Sequence, residues 1–313
     1  MLLWRTGSAP AKEAAEVPAF TAIRSIGLRA EAGGRLTVTD LLPVASGRIW
    51  VADARAGVLE VYSQAGRRLT VLGRAATGLR RPVSLTGFHG RWIVALDGGR
   101  AALSILDERG RTLRRFLLPE VDRPRQVCNV DDRLLAVVGT GWGRGAGRLL
   151  HLYTPSGEHL ESLHGEPSWG RARVWGRGRA YATVLDGRVC VGDTRTDSFA
   201  IYDLDNRGVL SFTSVAARLA ARLGRDSDFT ADLRGLFATT RGPLIALYLR
   251  SRHASPFLYD AYAPDGRPLA LGWESRERIV GIEGPLFYSV RRTSRSCARL
   301  RVWKLRYGGP GTS

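Results

Sequence analysis

The chain has 313 residues, 44% apolar and 24% charged, enough for a sizeable core, and it lacks the run of about 18 apolar residues that a membrane-spanning helix needs. Its formal charge is +18, and every one of its 47 basic residues except Lys12 and Lys304 is arginine, a ratio that G+C-rich codon usage explains most simply although the excess still favours anionic partners. Three separated cysteines, Cys128, Cys190 and Cys297, lack metal-ligand spacing and read as small apolar side chains.

Residues 1–19, rich in alanine, proline and charge, are expected to form a flexible arm. The opening residues carry no basic segment followed by an apolar one, so the chain as it stands reads as cytoplasmic, or as periplasmic or secreted if the true start lies upstream. A strand over Ala22–Gly27 follows, with no neighbour of its own in the sequence.

From there a block recurs: strand, tight turn, strand, loop, strand, glycine turn, strand. The first tight turns centre on Gly47, Gly90, Asp132, Gly187, Gly242 and Gly284, spaced 43, 42, 55, 55 and 42 residues apart. Each leads into a short β-rich run such as Ile49-Trp50-Val51 or Val189-Cys190-Val191, the hairpin signal of a turn between apolar segments. A third strand alternates with period two in every block, from Leu59-Glu60-Val61-Tyr62 to Leu300-Arg301-Val302-Trp303. Five of the six then pass through a glycine turn into a fourth strand. The sixth block stops after its third strand near Tyr307, and the surplus strand at Ala22–Gly27 supplies what is missing.

The spacing predicts an all-β fold: a six-bladed β-propeller over residues 20–307, its ring closed by the N-terminal strand completing the last blade, with a disordered tail at 308–313. A short helix is expected at Ser214–Gly224, between blades four and five. The Gly-Arg turns, the Val61–Arg67 segment and lead-ins such as Arg81-Pro82-Val83 and Arg123-Pro124-Arg125 resemble six-bladed propellers of the NHL-repeat and TolB-like kind. These motifs are structural and carry little about function.

Propeller topology sorts the loops onto two faces. The tight turns share one; the irregular loops share the other and are rich in arginine, with tryptophan and glycine interleaved at Gly141-Trp142-Gly143-Arg144 and Ser168–Trp175. Guanidinium forks bind carboxylate or phosphate in pairs of hydrogen bonds, and indole rings stack. The expected ligand contacts are therefore Arg81, Arg125, Arg144 and Arg173, with Trp142 and Trp169 as stacking or gating groups. The expected function is non-enzymatic binding or scaffolding of an anionic small molecule or an acidic protein surface, without a cofactor; nucleic acid is not favoured, since no RNP-like, helix-turn-helix or zinc-finger pattern occurs. The alternative is a metal-dependent lactonase or esterase, on a resemblance to gluconolactonase and regucalcin propellers, which implies a divalent ion such as calcium in the central channel held by Asp40, Asn129 and Asp232. The five histidines show no ligand spacing, and no nucleophile elbow, phosphate loop or His-Glu-x-x-His motif is present.

Overall fold

The computed structural model describes residues 19–29, 37–143, 146–165, 180–193, 198–213, 231–238, 244–250, 257–283, 286–294 and 297–306. The first strand is β1 (Ala19–Arg29). Blade one contains β2 (Val38–Val44), β3 (Arg48–Asp53), β4 (Val58–Ser63) and β5 (Arg68–Leu72). After a four-residue helix α1 (Arg74–Thr77), blade two contains β6 (Pro82–Phe88), β7 (Trp92–Asp97), β8 (Ala102–Leu106) and β9 (Thr112–Leu117). Blade three contains β10 (Val121–Asp131), β11 (Leu134–Gly141), β12 (Leu150–Tyr153) and β13 (His159–Leu163). Blade four contains β14 (Ala180–Leu185), β15 (Arg188–Asp193), β16 (Ser198–Asp203) and β17 (Gly208–Thr213). Blade five contains β18 (Ala231–Ala238), β19 (Leu244–Arg250), β20 (Phe257–Tyr262) and β21 (Pro268–Ser275). Blade six contains β22 (Arg278–Glu283), β23 (Leu286–Arg292) and β24 (Cys297–Arg306), and its fourth strand is β1, which pairs antiparallel with β24 from Ala19↔Arg306 to Arg29↔Cys297. The inner strands contact one another in the order β2, β6, β10, β14, β18, β22 and back to β2, so the ring is closed.

Local chemistry explains the hairpins. In the turns at His89-Gly90 and Asp186-Gly187 both residues take positive φ, the conformation that matches the twist of flanking strands. The outer turns repeat one device, a left-handed glycine whose N–H bonds back three residues: Gly66 to Ser63, Gly110 to Asp107, Gly157 to Thr154 and Gly266 to Ala263, each at 2.9 Å. These glycines also seat each blade on the one before it. A Cβ on Gly110 would lie 2.2 Å from Leu72 of blade one, and one on Gly157 would lie 2.6 Å from Phe116 of blade two.

Apolar residues of neighbouring blades interdigitate into six separate clusters, one at each seam. Alternation puts one set of side chains on each face of a sheet, and in a propeller both faces are covered. That is why the β3 run Ile49–Asp53 and the β8 run Ala102–Leu106 are buried throughout. The tyrosines that end the third strands are among the largest buried side chains, and their hydroxyls find carboxylates: Tyr62 donates to Glu60, Tyr262 to Asp260 at 3.0 Å and Tyr153 to Glu120 at 3.0 Å. Cys128 and Cys190 are free thiols. Among the described residues no helix is long and apolar enough to cross a membrane. The segments expected as an N-terminal arm, as a helix at Ser214–Gly224 and as a tail at 308–313 lie outside the described residues, apart from Ala19, which begins β1.

Candidate functional site

Five of the six inner strands break their register near the face that carries the irregular loops. The break falls between Val38 and Asp40 in β2, Pro82 and Ser84 in β6, Asp122 and Gln126 in β10, Leu233 and Gly235 in β18, and Ile279 and Gly281 in β22. A bulge leaves its extra residue out of the ladder and re-aims side chains. Here the extra residues are Thr39, Val83, Arg123 to Arg125, Arg234 and Val280, and every one of them lines a cavity of about 360 Å³ in the central channel. The largest bulge, in β10, sets three residues against Gly139 alone. Pro124 has no N–H to contribute to a ladder, and Arg123 takes φ of 50°.

The cavity is strongly cationic. Arg81, Arg123, Arg125, Arg234 and Arg278 are among its lining residues, against Asp40 as the one acidic lining residue among the described residues, and Arg123 also places Nε 3.5 Å from Oδ2 of Asp122. Arg81, Arg123 and Arg125 are solvent-exposed, whereas Arg234 and Arg278 are partly buried. The Arg278 Nε is buried without a hydrogen-bond partner among the described residues. The rest of the wall includes Tyr181 and Phe237.

Buried carboxylates hold the arginine-bearing segments from behind. Asp97, at the end of β7, accepts hydrogen bonds from the backbone N–H of Arg80, Arg81 and Gly99 at 2.9–3.0 Å, and it pairs with Arg115 at 3.1 Å. Glu277, next to Arg278, pairs with Arg301 at 2.7 Å and accepts from Ser289 Oγ at 2.6 Å. Between blades, polar side chains satisfy the backbone that borders the channel. Gln126 donates to the Ala182 carbonyl at 2.7 Å and accepts from the Ala182 N–H at 3.0 Å, joining blades three and four.

Asp40 joins blades one and two in the same way. Its Oδ2 accepts from Ser84 Oγ at 2.7 Å and Leu85 N at 2.8 Å, while Oδ1 accepts from Leu41 N at 2.8 Å. Burial pushes its carboxyl up to about 6; the three hydrogen bonds and the Arg278 charge pull the other way and only partly offset that cost.

The sequence-predicted residues divide into three groups. Arg81 and Arg125 are brought together in the cavity lining, as is Asp40. Trp142 is 59% exposed and stands outside that lining, just past β11 on the same face, with its N–H 2.6 Å from the Glu120 carbonyl. Asn129 also lies outside the lining, and its buried Oδ1 has no partner among the described residues. Arg144, Trp169, Arg173 and the Asp232 side chain lie outside the described residues. No group of three or more His, Cys, Asp or Glu residues placed to hold a metal ion occurs among the described residues. Arg123, Arg234 and Arg278 are cavity residues absent from the sequence-based set. The signal for two of them was an isolated glycine inside a strand run, Gly235 beside Arg234 and Gly281 near Arg278, which marks a bulge.

Six antiparallel four-stranded blades around a cationic channel define the molecule as a six-bladed β-propeller. No family model and no curated protein sequence matches the chain. Among solved structures it is similar to a member of the DUF4221 family from Bacteroides vulgatus, with TM-score 0.62 and 8% identity over 94% of this chain and 99% of that one. It is also similar to a catalytically inactive virginiamycin B lyase from Staphylococcus aureus with quinupristin, with TM-score 0.58 and 12% identity over 88% and 83%. The WD40 domain of Pan2 from Neurospora crassa gives TM-score 0.58 and 9% identity over 94% and 96%. Identities this low establish a shared fold and nothing of shared chemistry.

Proposed function

We propose that this chain is a non-enzymatic binding propeller of the NHL-repeat and TolB-like kind, and that its channel mouth takes an anionic ligand, either a small molecule or an acidic side chain of a protein partner. One observation carries the reading: five arginines line a cavity of about 360 Å³ whose one carboxylate among the described residues already accepts three hydrogen bonds. Each arginine offers a rigid fork of donors that suits carboxylate or phosphate, and the partly desolvated channel strengthens such pairs. The solved neighbours include both a lyase and a WD40 domain, and the arginine-rich lining supports the binding reading here. Trp142 extends the surface at the rim, and Arg144, Trp169 and Arg173 belong to the proposal on sequence grounds.

The test is a thermal-shift screen against inorganic phosphate, citrate, short oligonucleotides and divalent metals. A ligand at one hundred times its Kd stabilises by about 2.7 kcal/mol, a shift of roughly 4 °C in a chain this long. Stabilisation by phosphate or citrate that fades with salt supports the reading. A response to calcium, manganese or zinc alone overturns it in favour of a metal-dependent hydrolase.

A further inference from the structure

The arginines of the cavity are not spread evenly around the ring. With the inner strands in the order β2, β6, β10, β14, β18, β22, each faces the strand three blades away. Arg81, which leads into β6, therefore stands across the channel from Arg234 of β18. Arg123 and Arg125 of β10 stand across from Arg278 of β22. Among the described residues the third diameter carries no arginine in the lining: Asp40 of β2 faces Tyr181 of β14. Two cationic banks thus oppose each other, with a carboxylate and a phenol at the positions between them.

Resting on the anion-binding reading, we infer that the ligand is a small dianion with its two charged groups at opposite ends of a neutral body. One end meets Arg81 and Arg125, beside the Arg123–Asp122 pair, and the other meets Arg234 and Arg278. A single anionic group engages one bank and forgoes the donors of the other. Two groups satisfy both, and the second gains from the first as an intramolecular event. A charge in the middle of the ligand would lie near Asp40, which disfavours it, whereas Tyr181 and Phe237 suit an uncharged body. The volume of about 360 Å³ sits at the small end of the range of about 300–1,000 Å³ for ligand pockets, which suits a small molecule. The banks differ in exposure. The Arg278 side carries a buried Nε, so the anionic end that meets it is the more desolvated of the two.

Isothermal titration of the full chain with adipate and with hexanoate, which match in carbon number and differ by one carboxylate, tests the inference. Succinate, glutarate and pimelate vary the span. We expect adipate or its best-fitting homologue to bind at least about tenfold more tightly than hexanoate, with an optimum in chain length. Arg125→Gln on the exposed bank and Arg278→Gln on the buried one each reduce that advantage to the hexanoate level. Thermal melts of both variants confirm the fold, and the exposed Arg125 provides the test if Arg278→Gln fails to fold. An alkanediol bisphosphate run beside the dicarboxylates shows which anionic group is preferred. Equal affinity for adipate and hexanoate overturns the two-ended ligand while leaving anion binding intact. The same holds if a variant of one bank leaves adipate binding unchanged. Failure of these probes and of inorganic phosphate alike overturns both.

Discussion

Arg115 of β9 reaches back to place Nη2 3.1 Å from Oδ2 of Asp97, a carboxylate with no solvent exposure at the end of β7. The same carboxylate holds the backbone N–H of Arg80 and Arg81, so the outer part of blade two is coupled to a residue of the cavity lining.

Asp97→Ala removes the partner of a half-buried guanidinium and three backbone caps at once. The expected loss is about 3–5 kcal/mol, the cost of breaking a buried pair from one side. Urea denaturation measures it. Asp97→Asn keeps an acceptor for the backbone and loses less. The Asp97→Ala protein that still folds binds inorganic phosphate more weakly, because Arg81 is no longer held at its N–H, whereas Asp97→Asn, which keeps an acceptor there, retains more of the binding.

Anion affinity rises as pH falls from 7.5 to 5. Burial pushes the Asp40 carboxyl up to about 6, above its ordinary 3.8, so acidification neutralises the one negative group of the lining among the described residues while every arginine stays charged. One unit charge met at near-water dielectric is worth about 1 kcal/mol, or about fivefold in Kd. Asp40→Asn binds tightly at both pH values and loses the dependence. The stability effect has the opposite sense from that of a salt-bridged acid. The folded state holds this proton more firmly than the unfolded state, so the Asp40 contribution is present below about pH 4 and falls away as pH rises through about 6. Melting of the wild type and Asp40→Asn across that window checks it.

Gly139→Ala tests the bulge that presents Arg123 and Arg125. A Cβ there lies 2.4 Å from Val121 Cγ1 and 3.0 Å from Pro124 Cα, so the bulge must shift. Overpacking of this kind costs about 1–3 kcal/mol, and anion binding weakens with it. Gly87→Ala, in the neighbouring inner strand with nothing within 4 Å, changes stability by no more than about 0.5 kcal/mol and leaves binding alone. Melting curves and titrations of the two variants distinguish a local clash from a general intolerance of alanine.

The blades were legible because each strand boundary carries its own chemistry. Gly47, Gly90 and Gly187 sit in tight turns, Gly66, Gly110 and Gly157 in outer ones, and alternation between them marks the strands. The surplus strand at Ala22–Gly27 was visible because the sixth block lacks its fourth strand, and it lies within β1. The site was legible only in part. Arg81 and Arg125 stand beside prolines visible in the sequence, Pro82 at the start of β6 and Pro124 in the β10 bulge, whereas Arg234 and Arg278 lie on inner strands whose register is broken nearby with no such marker. A one-residue bulge changes which face a side chain meets, and period-two reasoning carries no information across it. Trp142 drew attention as an aromatic between glycines, but it follows the end of β11 and stands outside the channel lining.

Cys128 and Cys190 are expected to resist alkylation in the native protein. Burial pushes the Cys128 thiol up to about 12, and it donates to the Ala182 carbonyl at 3.4 Å; burial raises Cys190 as well. The thiolate is the reactive form, and little of it exists at pH 8. Mass spectrometry after brief iodoacetamide treatment, with and without urea, checks that both are modified only on unfolding.

The most direct test of the anion-binding account is titration calorimetry of inorganic phosphate against the wild type and the Arg81→Gln/Arg125→Gln double variant at low and high salt. The account predicts binding by the wild type that weakens as salt rises, and a loss of at least about tenfold in the double variant at an unchanged melting temperature. Equal affinity in the two proteins, or binding indifferent to salt, would contradict it.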